Sequence, residues 1–180
     1  MKNVSINPLD FLEALSRTAA TVSVVTTDGH FGRAGLTVSS MCSVSASPPS
    51  VLVCVNEESA VCGIIRRNEV MCLNILRADQ AQISDAFSGR LNEVYKDPFE
   101  VTRWETAVTG APLMNAALLS LDCRIKNELQ HGTHFILVGE VEHLKLNQLG
   151  QPLVYRARTY EKPAESPSLE DMEYSWDRYT

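Results

Sequence analysis

Gly35-Leu-Thr-Val-Ser-Ser-Met-Cys-Ser-Val-Ser-Ala-Ser-Pro-Pro49 decides how this 180-residue chain is read. Between Thr37 and Ser47 lie six hydroxyl side chains, at Thr37, Ser39, Ser40, Ser43, Ser45 and Ser47. They alternate in part with Val38, Met41, Val44 and Ala46, which predicts one strand with an apolar side and a hydroxyl side. Small hydroxyls let a ligand approach the backbone and can donate to an oxyanion without filling the space. A phosphate or a ribityl chain suits such a surface. An ordinary solvated edge strand with heavy Ser/Thr usage is the competing reading, and residue pattern alone leaves both open.

The following residues bear on that choice. Pro48-Pro49 has no N–H for a ladder and ends the strand. Val51-Leu-Val-Cys-Val55 is apolar on both faces and predicts a central, buried strand. After Asn56-Glu-Glu-Ser59, Ser59 is placed to cap a helix from Ala60 to Arg66. A helix start offers free N–H groups and a partial positive charge, which favours an anion. Together these features predict a phosphate cradle that lacks a Gly-rich P-loop.

Elsewhere the chain alternates between strand and turn signals. Pro8 to Ala19 predicts a helix with Leu9, Leu12, Leu15 and Ala19 on one face. Val22–Thr27 predicts a strand, and Asp28-Gly29 a tight turn into a hairpin. Val70–Leu76 predicts another strand, and Asp79–Phe87 a helix closed by Ser88-Gly89. Residues from Arg90 to Met114 read as one long loop anchored by Trp104, an excursion over a site or a dimer partner. Ala117–Leu129 and Phe135–Leu146 predict a long hairpin around His131-Gly-Thr-His134, with Leu153–Arg158 as the last strand. Many strands and few helices favour a β-barrel over a parallel α/β sheet. No Gly-rich strand-to-helix turn of the dinucleotide-binding kind is present, so a nicotinamide would bind here without that fold.

Bulk properties narrow the function classes. Hydrophobic residues at 44% and charged residues at 21% describe a globular protein large enough for a real core. No apolar run approaches a membrane span, and the first residues lack a secretory apolar stretch, so a cytoplasmic location is expected. Most of the net charge of −6 falls in the last twenty residues, and a near-neutral body argues against nucleic acid. One domain over 1–160 and an acidic, mobile tail over 161–180 are expected. The five cysteines form no C-x-x-C pair, which points to reduced structural thiols and to no metal site.

Gly35-Leu-Thr37, Cys42-Ser-Val-Ser45, Pro48-Pro49, Asn56-x-x-Ser59, Phe87-Ser-Gly89, Trp104, Thr109-Gly110, Asp122-Cys123 and Gly132-Thr-His134 occur in one order. In order and spacing the chain resembles the short-chain NAD(P)H:flavin oxidoreductases, the reductase components of two-component monooxygenases. The resemblance runs from about Phe11 to Tyr160. It implies a mainly β split barrel of the FMN-binding type, a homodimer, FMN or FAD as flavin, and NADH or NADPH as hydride donor. Reduced flavin would pass by diffusion to a separate monooxygenase.

The same resemblance implies that Gly35, Leu36, Thr37, Val38, Ser39, Ser40, Cys54, Val55, Asn56, Ser59, Phe87, Ser88 and Gly89 surround the flavin. Val38 stands where many relatives carry Ala or Cys. It also places His134 beside the nicotinamide, where the other reading is a turn histidine. Tyr155, Arg158 and Tyr160 could hold a pyrophosphate and stack on a base, or form a strand with an aromatic dimer contact. Arg66 and Arg67 either meet a phosphate or end a solvated helix. Hydride transfer between two reactive rings needs little acid or base help, so no catalytic triad is expected. Two rival functions remain: a reductase of the same fold with another acceptor, and a flavin carrier or sensor without turnover.

Overall fold

The computed structural model describes residues 6–147 and 150–163, so the acidic tail lies outside the described residues apart from its first three. Its centre is a seven-stranded antiparallel sheet. In chain order the strands are β2 (Ser23–Thr27), β3 (Ala34–Val38), β4 (Cys42–Ala46), β5 (Pro49–Asn56), β6 (Val70–Ile75), β9 (Leu119–His131) and β10 (His134–Leu146). They lie in the order β3-β2-β6-β9-β10-β5-β4, so β3 and β4 are the two outer strands. Yet only Ser39, Ser40 and Met41 join them. The step from Val38 to Cys42 spans at most about 14 Å when extended. The opposite edges of the sheet are therefore held side by side, and the sheet must curl into a barrel.

Ser40 finishes the closure. Its hydroxyl donates to the Cys54 carbonyl at 2.9 Å and accepts from the Cys54 N–H at 3.1 Å, fixing the link to β5. The barrel interior is filled by Val25, Val53, Ile65, Met71, Leu73 and Leu137, all buried. Helix α2 (Ala60–Asn68) supplies Ile65 and Cys62 to that core. A second cluster, built on Val22, Val24, Leu76, Phe87, Phe99 and Leu153, lies under α3 (Ala81–Phe87) and the last hairpin. That hairpin, β11 (Val154–Arg156) and β12 (Thr159–Glu161), forms a small sheet with β1 (Ala20–Thr21).

Several expectations are revised. The hydroxyl stretch is two strands, because the alternation continues through the bend at Ser39–Met41 and hides it. Its second half, β4, is exposed along its whole length, the edge strand of the competing reading. β5 is next to the edge and buries only Val51, Val53 and Val55 on one face. Helix α1 (Pro8–Ser16) stops before Ala19 and buries none of its residues. The supposed last strand is a hairpin that turns at Ala157 and Arg158, since Arg156 pairs with Thr159.

The long excursion from Arg90 is not structureless either. It carries a 3-10 turn at Pro98–Val101 and a short ladder, β7 (Trp104–Thr106) with β8 (Pro112–Met114). Buried polar groups pin it. Asn74 donates to Pro112 O at 3.3 Å and accepts from Met114 N at 2.8 Å, and Asp122 accepts the Thr109 N–H at 2.9 Å. Trp104 packs against Phe87 and Phe99 and donates its ring N–H to Phe99 O at 2.9 Å. Thr109 and Asp122, two positions of the resemblance, thus hold the excursion to the barrel.

Ala157 and Arg158 have φ values of 50° and 63°, a left-handed turn with no glycine. A side chain in that region costs about 1–2 kcal/mol. Ala157→Gly is therefore expected to raise Tm by about 2–4 °C, read by thermal unfolding; a lower Tm would show that the Cβ is not the strained element.

Candidate functional site

The sequence candidates separate into two groups. Thr37, Val38 and Ser39, at the end of β3, line a cleft of about 130 Å³ with Ser88, Tyr155 and Tyr160. Val22, Ser84 and Arg90 complete its walls and were not singled out by sequence. Asn56, Ser59 and His134 lie at another place, where the open end of β5 meets the β9–β10 turn. There His134 pairs in register with Asn56, and Glu57 N donates to Thr133 O at 2.9 Å.

Each wall of the cleft is fixed by identifiable bonds. The Thr37 hydroxyl donates to the Ser84 carbonyl at 2.7 Å, which fastens β3 to α3. The Tyr160 hydroxyl lies 2.9 Å from both Ser84 Oγ and Asp85 Oδ1. A carboxylate can only accept, so the phenol donates to Asp85 and accepts from the fully buried Ser84. Burial and the Asp85 carboxylate push the Tyr160 phenol above its ordinary value, so it stays protonated as that donor. Tyr155 and Tyr160 stand with ring centroids 5.5 Å apart, tilted at 59°. Arg90 binds Asp85 at 3.0 Å and lies 5.8 Å from the Tyr160 ring centre; Tyr155 and Asp85 hold its guanidinium above the ordinary value.

The hydroxyl hydrogens do not point where the sequence pattern suggested. A hydroxyl has one hydrogen. Thr37 gives it to Ser84 O, Ser40 to Cys54 O and Ser88 to Asp85 O, the last at 3.1 Å. In the cleft Thr37 and Ser88 therefore offer lone pairs to a ligand, while Ser40 is engaged in both directions by Cys54 and Ser39 is exposed on the link.

The remaining candidates are accounted for in the same way. Gly35 lies under Phe87, whose ring would stand 2.8 Å from an added Cβ, so helix packing requires the glycine. Leu36 packs against the barrel core and Val55 is part of it, while Cys54 serves Ser40 through its backbone. Phe87 is buried against Phe99 and Trp104, and Gly89 turns the chain at φ 81°. Asn56 accepts from Glu58 N at 2.9 Å, and Ser59 occupies the cap position of α2 without a side-chain cap bond. His134 is exposed, its Nδ1 3.0 Å from Thr133 Oγ1.

Three arginines face elsewhere. Arg158 does not line the cleft and reaches back to Glu13 at 3.6 Å with 68% of its side chain exposed. Arg66 donates two hydrogen bonds to the Glu128 carboxylate, at 2.8 and 2.6 Å, with its guanidinium over the Phe135 ring. Arg67 covers Phe31. Burial pushes the thiols of Cys54, Cys62, Cys72 and Cys123 up, Cys123 to about 12, which keeps them protonated as packing groups.

Lone pairs, backbone edges, two tyrosine faces, two valines and one cation fit a flat heteroaromatic ring with a polar rim and an anionic substituent. Comparison with known proteins agrees. Residues 15–164 match the family model described as flavin reductase like domain. A Pseudomonas syringae protein named FMN reductase (NADH) RutF is 38% identical over 165 residues, 91% of this chain and 92% of its own. The Streptomyces globisporus NADH:FAD oxidoreductase SgcE6 superposes with a TM-score of 0.80 at 25% identity, over 92% of this chain and all of its own. BorF, the flavin reductase component of a bacterial two-component tryptophan halogenase, does so at 0.79 and 28% identity, over 89% and 100%.

Tyr160 ties the last hairpin to α3. Tyr160→Phe leaves the buried Ser84 hydroxyl without its acceptor, an expected loss of about 1–3 kcal/mol in urea unfolding. Unaltered stability would mean that the hairpin is held by its apolar contacts alone.

Proposed function

The chain belongs to the flavin reductase like domain family, and we propose that it transfers hydride from NADH to FMN or FAD. The observation that carries this reading is the convergence of Thr37–Ser39, Ser88 and the Tyr155–Tyr160 pair on one cleft. Bound flavin supplies the electron-accepting ring. The chain's own part is to seat it: Val22 and Val38 exclude water, and the backbone from Ser39 on, where the β2–β3 ladder ends, offers N–H groups to its polar edge. Thr37 and Ser88 present acceptor lone pairs. The protein needs no acid or base, since neither ring depends on one.

A single protomer forms only part of that seat. Ligand sites commonly enclose about 300–1,000 Å³, well above the 130 Å³ of this cleft. Helix α1 meanwhile exposes Leu9, Leu12 and Leu15 by 72%, 56% and 49%. An apolar helix face of that kind marks an interface. We therefore read the protein as a homodimer whose second copy covers α1 and completes the site. His134, with Asn56 beside it, serves the nicotinamide in this reading. Reduced flavin leaves for a separate monooxygenase, and the location is cytoplasmic. The names of the relatives support the reductase role. Among the described residues no helix is long and apolar enough to cross a membrane.

Steady-state NADH oxidation with FMN, FAD and riboflavin tests the reading. Turnover that depends on added flavin is expected; bound flavin without turnover would make the protein a carrier. Light scattering is expected to give twice the chain mass of 19.9 kDa. Leu12→Glu should shift it to the single mass and weaken flavin binding, whereas an active monomer would refute the shared site. His134→Ala is expected to raise KM for NADH about tenfold at unchanged flavin Kd, and equal loss in both would give the histidine a structural role.

A further inference from the structure

Among the described residues Arg90 is the only cation that lines the cleft. It follows the Phe87-Ser-Gly89 turn, where φ of 81° at Gly89 swings the chain back across the end of α3. Asp85 Oδ1 takes one of its nitrogens, Nη1, at 3.0 Å, and the Tyr155 hydroxyl engages the guanidinium as well. A guanidinium has five N–H donors, so most remain for a ligand. Its side chain is 53% exposed, and an ion pair in that much solvent adds little to stability. What Asp85 and the Tyr160 face do is hold the guanidinium at the mouth of the cleft.

The surrounding hydroxyls strengthen the assignment. Thr37 and Ser88 have given their hydrogens to the carbonyls of Ser84 and Asp85. Ser84 and Tyr160 satisfy each other and Asp85. A phosphate entering this cleft meets three side-chain donors not already committed, Ser39, Tyr155 and Arg90, and of these only Arg90 is charged. A planar guanidinium can grip two phosphate oxygens at once, whereas acceptor lone pairs repel them.

We propose that Arg90 is the phosphate-recognising cation of the cleft and sets its preference for phosphorylated aromatic ligands. The shared chemistry is a phosphate attached to a flat ring system, which two ligands possess: a flavin nucleotide and the pyridine dinucleotide. The inference rests on the flavin reductase reading. It differs from the sequence expectation, which offered Arg158 for a pyrophosphate and Arg66 or Arg67 for a phosphate.

The test uses the purified full chain with Arg90→Gln, Arg90→Lys and Asp85→Asn. Flavin fluorescence quenching gives Kd for FMN and riboflavin, and initial rates at saturating flavin give KM for NADH. If the flavin phosphate is the ligand, Arg90→Gln weakens FMN about tenfold and leaves riboflavin nearly unchanged. If the dinucleotide is the ligand, both flavins bind as before and KM for NADH rises about tenfold. Arg90→Lys restores part of whichever affinity is lost. Asp85→Asn, which removes the carboxylate charge beside the guanidinium while its Oδ1 still accepts from Tyr160, tightens the same ligand severalfold; a merely structural ion pair has no such opposite-signed effect.

Equal weakening of FMN and riboflavin, or no change in any of the three ligands, overturns the proposal. If Arg90→Gln does not fold, Asp85→Asn decides alone, and unchanged or weaker phosphate binding overturns it. A wild-type chain that turns over while Arg90→Gln matches it refutes only this inference. A wild-type chain without flavin-dependent turnover refutes the reductase reading as well.

Discussion

Ser39, Ser40 and Met41 are the only residues between the two outer strands of a seven-stranded sheet. That brevity is the constraint from which the architecture follows. A sheet whose edges are tied about 14 Å apart at most cannot lie open, and its natural twist lets it close. Closure needs one more fastening, which Ser40 provides through both backbone groups of Cys54. The seam of the barrel thereby brings backbone and small side chains to the surface, in the place where the cleft forms. The same stretch that shapes the barrel also furnishes the first wall of the site.

Short helix α3 furnishes the second. Ser84 is bonded from two sides, by Thr37 at its carbonyl and by Tyr160 at its hydroxyl. Through it β3 and the terminal hairpin are set on one rigid piece, with Phe87 locked over Gly35 below. Fixing these groups has a chemical consequence. Hydroxyls that fasten backbone lose their hydrogen to it, so the cleft is richer in acceptors than its composition suggests. A flavin's ring edge, which carries both donors and acceptors, suits such a surface; its phosphate needs a cation.

Much of the strand pattern was legible in the sequence. The hairpin signalled by Asp28-Gly29 is present, though its loop is the six residues 28–33 and not a tight turn, and the two-residue turn at Gly132-Thr133 stands between the expected strands, because turn chemistry is local. Trp104 is the packing anchor that its place in a polar stretch suggested. Failures came where local pattern and tertiary constraint diverge. Alternation runs on through Ser39–Met41, so nothing local marks the bend. Leu9, Leu12 and Leu15 form the expected stripe, yet nothing in one protomer covers it. Arg158 lies between the two tyrosines in sequence, but the left-handed turn carries it toward Glu13, and Arg90 arrives from a segment more than sixty residues earlier. The hydroxyl roles were not legible, because a side chain's hydrogen goes to whichever carbonyl the fold brings near.

Hydrogen–deuterium exchange with and without saturating FMN tests the account's central claim, that the cleft between β3, α3 and the last hairpin seats the flavin. Slower exchange is expected together in residues 37–41, 84–90 and 154–161, the three segments that meet there. Protection confined to the β9–β10 turn and the start of α2, with those three segments unchanged, would contradict it.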